Sequence, residues 1–220
     1  MKFDEISRYT EEELNAKYDI FMKIIERYMP DHRIEKLKHM YSQDELGQNL
    51  LISPASSRRD YHNAFEGGYI DHILNVCKNA MKIKKAWEEA GAEIDFTDEE
   101  LMFIALHHDL GKLGTKEEPH YIPNQSQWHV KNQGKYYEFN PNLSYMSHTD
   151  RTFLLLNNYG FKLSEQEYLG ITLTDGLYDE SNREYLISFS YEKAIQTPLY
   201  HIMHQADLMS SYIEQQNQPR

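Results

Sequence analysis

Four side chains in three separate stretches could converge on one cation: His72, His108, Asp109 and Asp207. Over 98–110, Leu101, Ile104, Ala105 and His108 recur at helical spacing, so His108 points where the apolar face points. Asp109 follows directly, and Gly111-Lys112 close the helix. A histidine and a carboxylate at the buried end of a helix are costly unless something pairs with them, and a divalent cation would do so. His72 shares a helical face with Tyr69, Val76 and Ala80, and Asp207 lies beside Met203 and Ser210 near the stripe Ile202, Ala206. Imidazole and carboxylate together suit Mn, Fe, Ni, Co or Zn better than Ca, with Mg as a further candidate. Each residue also has a plainer reading. An inward histidine is often a satisfied core group, and an aspartate on a helix is often a solvated charge or a partner for Lys or Arg. His107 and His201 read as structural or surface residues, and His204, about one turn before Asp207, as a group that could orient it.

Helices must position these residues. Leu14, Tyr18, Phe21, Met22 and Ile25 predict an amphipathic helix over 11–29, ended by Pro30, and Ile34, Leu37, Met40 and Tyr41 a second over 32–51. The stretch 53–60 is a loop by composition. Gly67-Gly68 predicts a sharp turn into a helix from Tyr69 to Ala90. Thr97-Asp98-Glu99-Glu100 and Ser164-Glu165-Gln166-Glu167 are capping boxes, each opening a helix. Another helix is expected over 149–160, and a last one from Thr197-Pro198 toward Gln215. Between them, 115–145 is poor in aliphatics. There Trp128-His129-Val130 and Tyr136-Tyr137-Glu138-Phe139 flank Asn132-Gln133-Gly134, which predicts a short β-hairpin. Trp128, Tyr136 and Tyr137 would form the hairpin's own small core or stack on a base. The expected fold is all-α: a helical bundle with a small hairpin insertion, the hairpin serving as lid or substrate contact. Residues 1–52 form an N-terminal helical extension packed on the domain over 53–220.

The totals restrict the classes. The 220 residues suffice for a real core without disulfides, and the single cysteine, Cys77, cannot form an internal bridge. A net charge of -12 argues against a protein that coats duplex nucleic acid, though a bound metal could supply positive charge locally. Met1-Lys2-Phe3-Asp4-Glu5 lacks the basic start and apolar run of a signal peptide. No apolar stretch approaches the roughly 20 residues a membrane span requires. The expectation is a soluble cytoplasmic protein, not membrane-bound, of undetermined oligomeric state.

The segment Tyr61-His62-Asn63-Ala64-Phe65-Glu66-Gly67-Gly68-Tyr69-Ile70-Asp71-His72 resembles the first-histidine segment of the HD-domain phosphohydrolase superfamily. Its paired glycine is similar to the HD domains of bacterial 3′–5′ exoribonucleases. Leu106-His107-His108-Asp109-Leu110-Gly111-Lys112 resembles the family's central His-Asp-x-Gly-Lys signature, and Ala206-Asp207 its final aspartate. The likeness covers about residues 53–213. In many such enzymes with two metals, a histidine after the signature helix and a later His-His pair hold the second ion. His148 matches the first, but Thr174 and Asp175 stand at the pair. The resemblance therefore implies one tight metal on His72, His108, Asp109 and Asp207, with His148 and Asp175 as ligands of a weaker second one. In general style the chain is also similar to small HD proteins of tailed bacteriophages, which would act in the infected host's cytoplasm.

The implied reaction is hydrolysis of a phosphate ester or phosphodiester of a nucleotide by metal-activated water. Asp109, Lys112 and His148 are the catalytic candidates. Arg58, Arg59, His62, Lys112 and Arg151 are the substrate-binding candidates, each of which could also be an ordinary surface charge. Two other readings stand beside this one: a 3′–5′ exonuclease on single-stranded nucleic acid, and an HD-fold binding module with reduced catalysis. The acidic total weighs against the exonuclease, and the Thr174-Asp175 departure speaks for the binding module.

Overall fold

The computed structural model describes residues 8–188 and 190–217. Thr10 caps α1 (Glu11–Tyr28) in a reciprocal box with Glu13. Pro30 then redirects the chain into α2 (Asp31–Met40). The helix expected over 32–51 is broken. The chain turns through the polar residues Ser42 to Glu45, with Leu46 N bonded back to Met40 O, before α3 (Gly47–Ile52). Gly67, at φ 79°, turns the chain into α4 (Gly68–Glu89).

The helix α5 (Asp98–His107) begins at the predicted box of Thr97 and Glu100. Every residue from Leu101 to His107 is buried, so this helix is central rather than amphipathic. Its end tightens into a 3₁₀ turn, Leu110–Leu113. Packed around it are α4, α8 (Glu165–Leu173) and α10 (Pro198–Gln216), with α1 covering α4. The helix α7 (His148–Asn158) lies against the 3₁₀ turn, and the short α9 (Arg183–Leu186) precedes α10. Residues on both sides of 53 share one hydrophobic core: Phe21, Ile25 and Leu37 pack with Tyr69, Ile73, Phe103 and Ile202.

The architecture is all-α with one small two-stranded sheet, as expected, but the strands are not all where the sequence placed them. The strand β1 (Tyr121–Pro123) pairs antiparallel with β2 (Tyr137–Phe139), Ile122 opposite Glu138. The expected first strand, Trp128-His129-Val130, instead lies inside α6 (Gln127–Gln133). Ser126 caps this helix through His129 N, and Gly134 ends it in the left-handed region at φ 59°. A glycine there stops a helix as readily as it turns a hairpin. Trp128 is consequently 60% exposed and no part of a hairpin core, whereas Tyr137 is buried. The sheet docks on the 53–60 loop through Tyr137 N to Ser57 O, and the end of α6 through Arg59 N to Gly134 O. No helix among the described residues is long and apolar enough to cross a membrane.

Candidate metal centre

Three elements bring the four candidate ligands together. His72 lies in the second turn of α4, His108 and Asp109 follow α5, and Asp207 faces them from α10. His72 Nε2 is 3.1 Å from Asp207 Oδ1 and 3.8 Å from Asp109 Oδ2. His108 Nε2 is 3.7 Å from Asp109 Oδ2 and 3.8 Å from Asp207 Oδ1. Atoms bound to one transition ion at about 2.1 Å, at octahedral or tetrahedral angles, stand about 3.0–3.4 Å apart. Ligand atoms of His72, His108 and Asp109 all lie within 4.8 Å of one another, close enough to hold one ion after contraction, and Asp207 stands beside the two rings outside that group.

The outer partners of the two rings fix which nitrogen looks inward. Nδ1 of His72 donates to Glu214 Oε2 at 3.0 Å, and Nδ1 of His108 donates to Ala105 O at 3.1 Å. In the neutral rings, both Nε2 lone pairs then face Asp109 and Asp207, and both nitrogens are buried without a well-directed hydrogen bond. A lone pair facing a carboxylate is repulsive unless a proton or a metal lies between them. Charge points the same way. The carboxyl groups of Asp109, Asp207 and Glu214 all stand against these two rings, and the ammonium of Lys112 meets only Asp109.

Burial alone would lower the pKa of His72, but Glu214 and Asp207 raise it to about 10. His72 thus keeps a proton at neutral pH, its Nε2 3.1 Å from Asp207 Oδ1. Burial pushes Asp109 up, yet Lys112, His108 and His148 hold it well below the usual carboxylate range. Asp207 is likewise depressed, burial being outweighed by His72 and His108.

Beside this centre, His148 Nε2 is 3.7 Å from Asp109 Oδ1 and 2.9 Å from Asp175 Oδ2. Burial lowers the His148 pKa, but Asp175 and Asp109 more than reverse that. Asp109 thus turns one oxygen to each side. His148 comes so near because Gly111 packs directly on its carbonyl: a Cβ at Gly111 would lie 2.0 Å from His148 O. Gly111 N also donates to Thr152 Oγ1 at 2.8 Å.

Lys112 bonds Asp109 Oδ2 at 2.6 Å and, with His62, His148 and Asp175, lines a cavity of about 540 Å³ above the centre. The His62 ring lies 4.5 Å from that of His72, its Nε2 buried without a partner. Burial and the neighbouring His72 keep it neutral. The three arginines turn elsewhere. Arg58 donates to Gln133 O, Arg59 lies 3.8 Å from Asp60, and Arg151 donates to Ser144 O at 2.8 Å. His204 donates to Thr174 O at 2.7 Å rather than orienting Asp207 as the sequence suggested, because its ring packs over Gly176. His107 is structural. Its Nδ1 donates to Phe103 O, and burial pushes its pKa down to about 3. His201 stacks on Trp87.

Sequence reasoning missed Glu214. Its signal was present: Asp207, Ser210 and Glu214 follow i, i+3, i+7 spacing on one face of α10. Comparison of the chain with family models, curated proteins and solved structures gave no match.

Proposed function

We propose that this chain is a metal-dependent phosphohydrolase, related to the HD superfamily that its motifs resemble, which cleaves a phosphate ester or phosphodiester of a nucleotide. One observation carries the reading. Two buried imidazoles, each with Nδ1 committed to an outer acceptor, aim Nε2 at two carboxylates, which is favourable only with a proton or a metal between them. Such an arrangement costs several kcal/mol if left uncompensated and is the usual way a transition-metal site holds its ligands. A divalent ion held by His72, His108, Asp109 and Asp207 would supply Lewis acidity, acidifying water and neutralising phosphoryl charge.

The chain's own groups do the rest. Glu214 and Ala105 orient the two imidazoles. Lys112, its ammonium beside Asp109 and on the cavity wall, is placed to contact a phosphoryl oxygen. His148 holds a proton at Nε2 between Asp109 and Asp175 and can release it to a departing oxygen. The same position could take a second ion weakly, since His148 and Asp175 are each 32% exposed. Action in a reducing cytoplasm agrees with a buried free Cys77, whose thiol burial pushes up to about 12 and so leaves inert.

Elemental analysis of the purified protein, followed by hydrolysis assays on p-nitrophenyl phosphate and nucleotides with Mn, Mg, Ni and Co, tests the proposal. The expected result is close to one tightly held transition ion per chain and metal-dependent release of product. Asp109→Ala should lose both. Full metal content and full activity in that variant would overturn the reading.

A further inference from the structure

The cavity above the centre is not the only space that reaches His148. A second recess, of about 440 Å³, lies between the two-stranded sheet and the start of α7. The two cavities share Ser57, Tyr121 and His148, so a wall of only a few side chains separates them, and one of these is the histidine beside Asp109.

Their linings are alike in kind. The first presents Tyr61, Tyr178 and Tyr212, and the second His120, Phe139 and Tyr145. The rings of the second form a connected cluster: His120 to Phe139 at 5.3 Å and Phe139 to Tyr145 at 6.1 Å between centroids. His120 is a built element of this recess. It is 8% exposed, and its Nδ1 has no hydrogen-bond partner. Cations are scarce. The first cavity is lined by Lys112 along with Asp175 and Asp207, the second by Lys135 along with Glu138, and neither by arginine. A diphosphate, a triphosphate or a long strand would bring charge beyond what one divalent ion and Lys112 neutralise. A single phosphate flanked by two flat, neutral groups matches the space.

We propose that the recess beside His120 is a subsite for the group on the far side of the scissile phosphate, and that the substrate is a phosphodiester joining two nucleosides. The inference rests on the phosphohydrolase reading. One base would lie against the tyrosines of the first cavity and the other against Phe139 and Tyr145, with His120 offering a hydrogen bond. Water's oxygen forms a bond to phosphorus, and the P–O bond to one nucleoside breaks. That nucleoside leaves as an alcohol carrying one of the water's protons, and the other nucleoside keeps the phosphate.

The test is hydrolysis by the metal-loaded full chain of a dinucleoside monophosphate, a 5′-mononucleotide, p-nitrophenyl phosphate and a ten-nucleotide single strand. The dinucleoside monophosphate should exceed the mononucleotide at least tenfold in kcat/KM. Tyr145→Ala, at a side chain 89% exposed and so safe for folding, should raise KM for the dinucleoside about tenfold, as loss of one base stack does. It should also lower the dinucleoside's preference over p-nitrophenyl phosphate. His120→Ala should act in the same direction. Turnover of the mononucleotide or p-nitrophenyl phosphate without the dinucleoside would overturn the subsite and leave the phosphohydrolase reading intact. A rate that climbs further with strand length would overturn the two-unit limit. No turnover of any of the four would overturn both.

Discussion

Two clusters of buried charge lie within this helical domain, and only one of them has the character of a site. On the α2–α8 side, Arg33 pairs with Glu167, lies 3.1 Å from Glu99 and donates to Lys162 O at 3.1 Å, while its guanidinium covers the Phe103 ring. Glu167 closes the α8 capping box as well. That cluster is complete: donors meet acceptors and charges meet charges. The cluster of His72, His108, Asp109 and Asp207 is buried too, but both of its inward imidazole nitrogens lack a well-directed hydrogen bond. Burial of charge therefore does not mark function. What marks it is a deficit that the protein's own side chains leave unfilled.

The contrast can be broken by mutation. Replacing His72 by Ala should cost at least ~100-fold in kcat/KM and abolish tight metal binding, since even outer partners of metal ligands are worth 10–100-fold. Arg33→Ala should do the reverse. It leaves the Glu167 carboxylate buried without its counter-charge, at ~3–5 kcal/mol of stability in a urea titration, while the folded fraction keeps its metal. If both variants lost metal equally, the distinction between the clusters would fail.

A smaller change sharpens the comparison. Glu214→Gln keeps the hydrogen bond to His72 Nδ1 but removes its charge, and should weaken metal affinity about 10–100-fold by chelator competition.

The gentlest probe is pH. In the metal-free protein the His72 pKa, raised to about 10 from an unfolded value near 6.5, contributes stability. That stability is fully present below about pH 6.5 and is lost as pH rises toward 10. A metal needs the neutral imidazole, so the gain in Tm on metal addition should grow across that same window. His107 has the opposite sign. Held neutral down to about pH 3, it withdraws stability as pH falls from about 6.5 toward 3, with or without metal. Melting curves recorded with and without chelator across pH 4–10 separate the two histidines. A metal-free Tm that stays flat from pH 6.5 to 10 would contradict the assignment of His72.

Much of the centre was legible in the sequence because long helices announce themselves. His72 and Asp207 sit on helices of 22 and 19 residues whose apolar positions repeat, so the direction of each side chain follows from spacing. The capping boxes at Thr97 and Ser164 fixed two starts for the same local reason. Apart from the break between α2 and α3, what failed was short and unburied. The seven residues of α6 include none that is buried and so show no periodicity, while each strand is only three residues long. There Gly134 was the strongest cue, and a left-handed glycine is common to helix ends and hairpin turns. Glu214 escaped because a lone glutamate near a chain end reads as a solvated charge until His72 is seen beside it. The recess at His120 depends on the pairing of β1 with β2, which brings together residues separated by α6.

The close seat of Gly111 on the His148 carbonyl, with Thr152 anchoring Gly111 N in return, separates reach from route. The histidine's distance from Asp109 is gauged by main chain touching main chain, whatever path the chain takes between the two. The sheet and α6, which lie between the two, do not enter that contact. A scaffold so arranged could trade one substrate-facing insertion for another while its chemistry stays in register, and a single added methyl at Gly111 would spoil what a whole rebuilt loop would not.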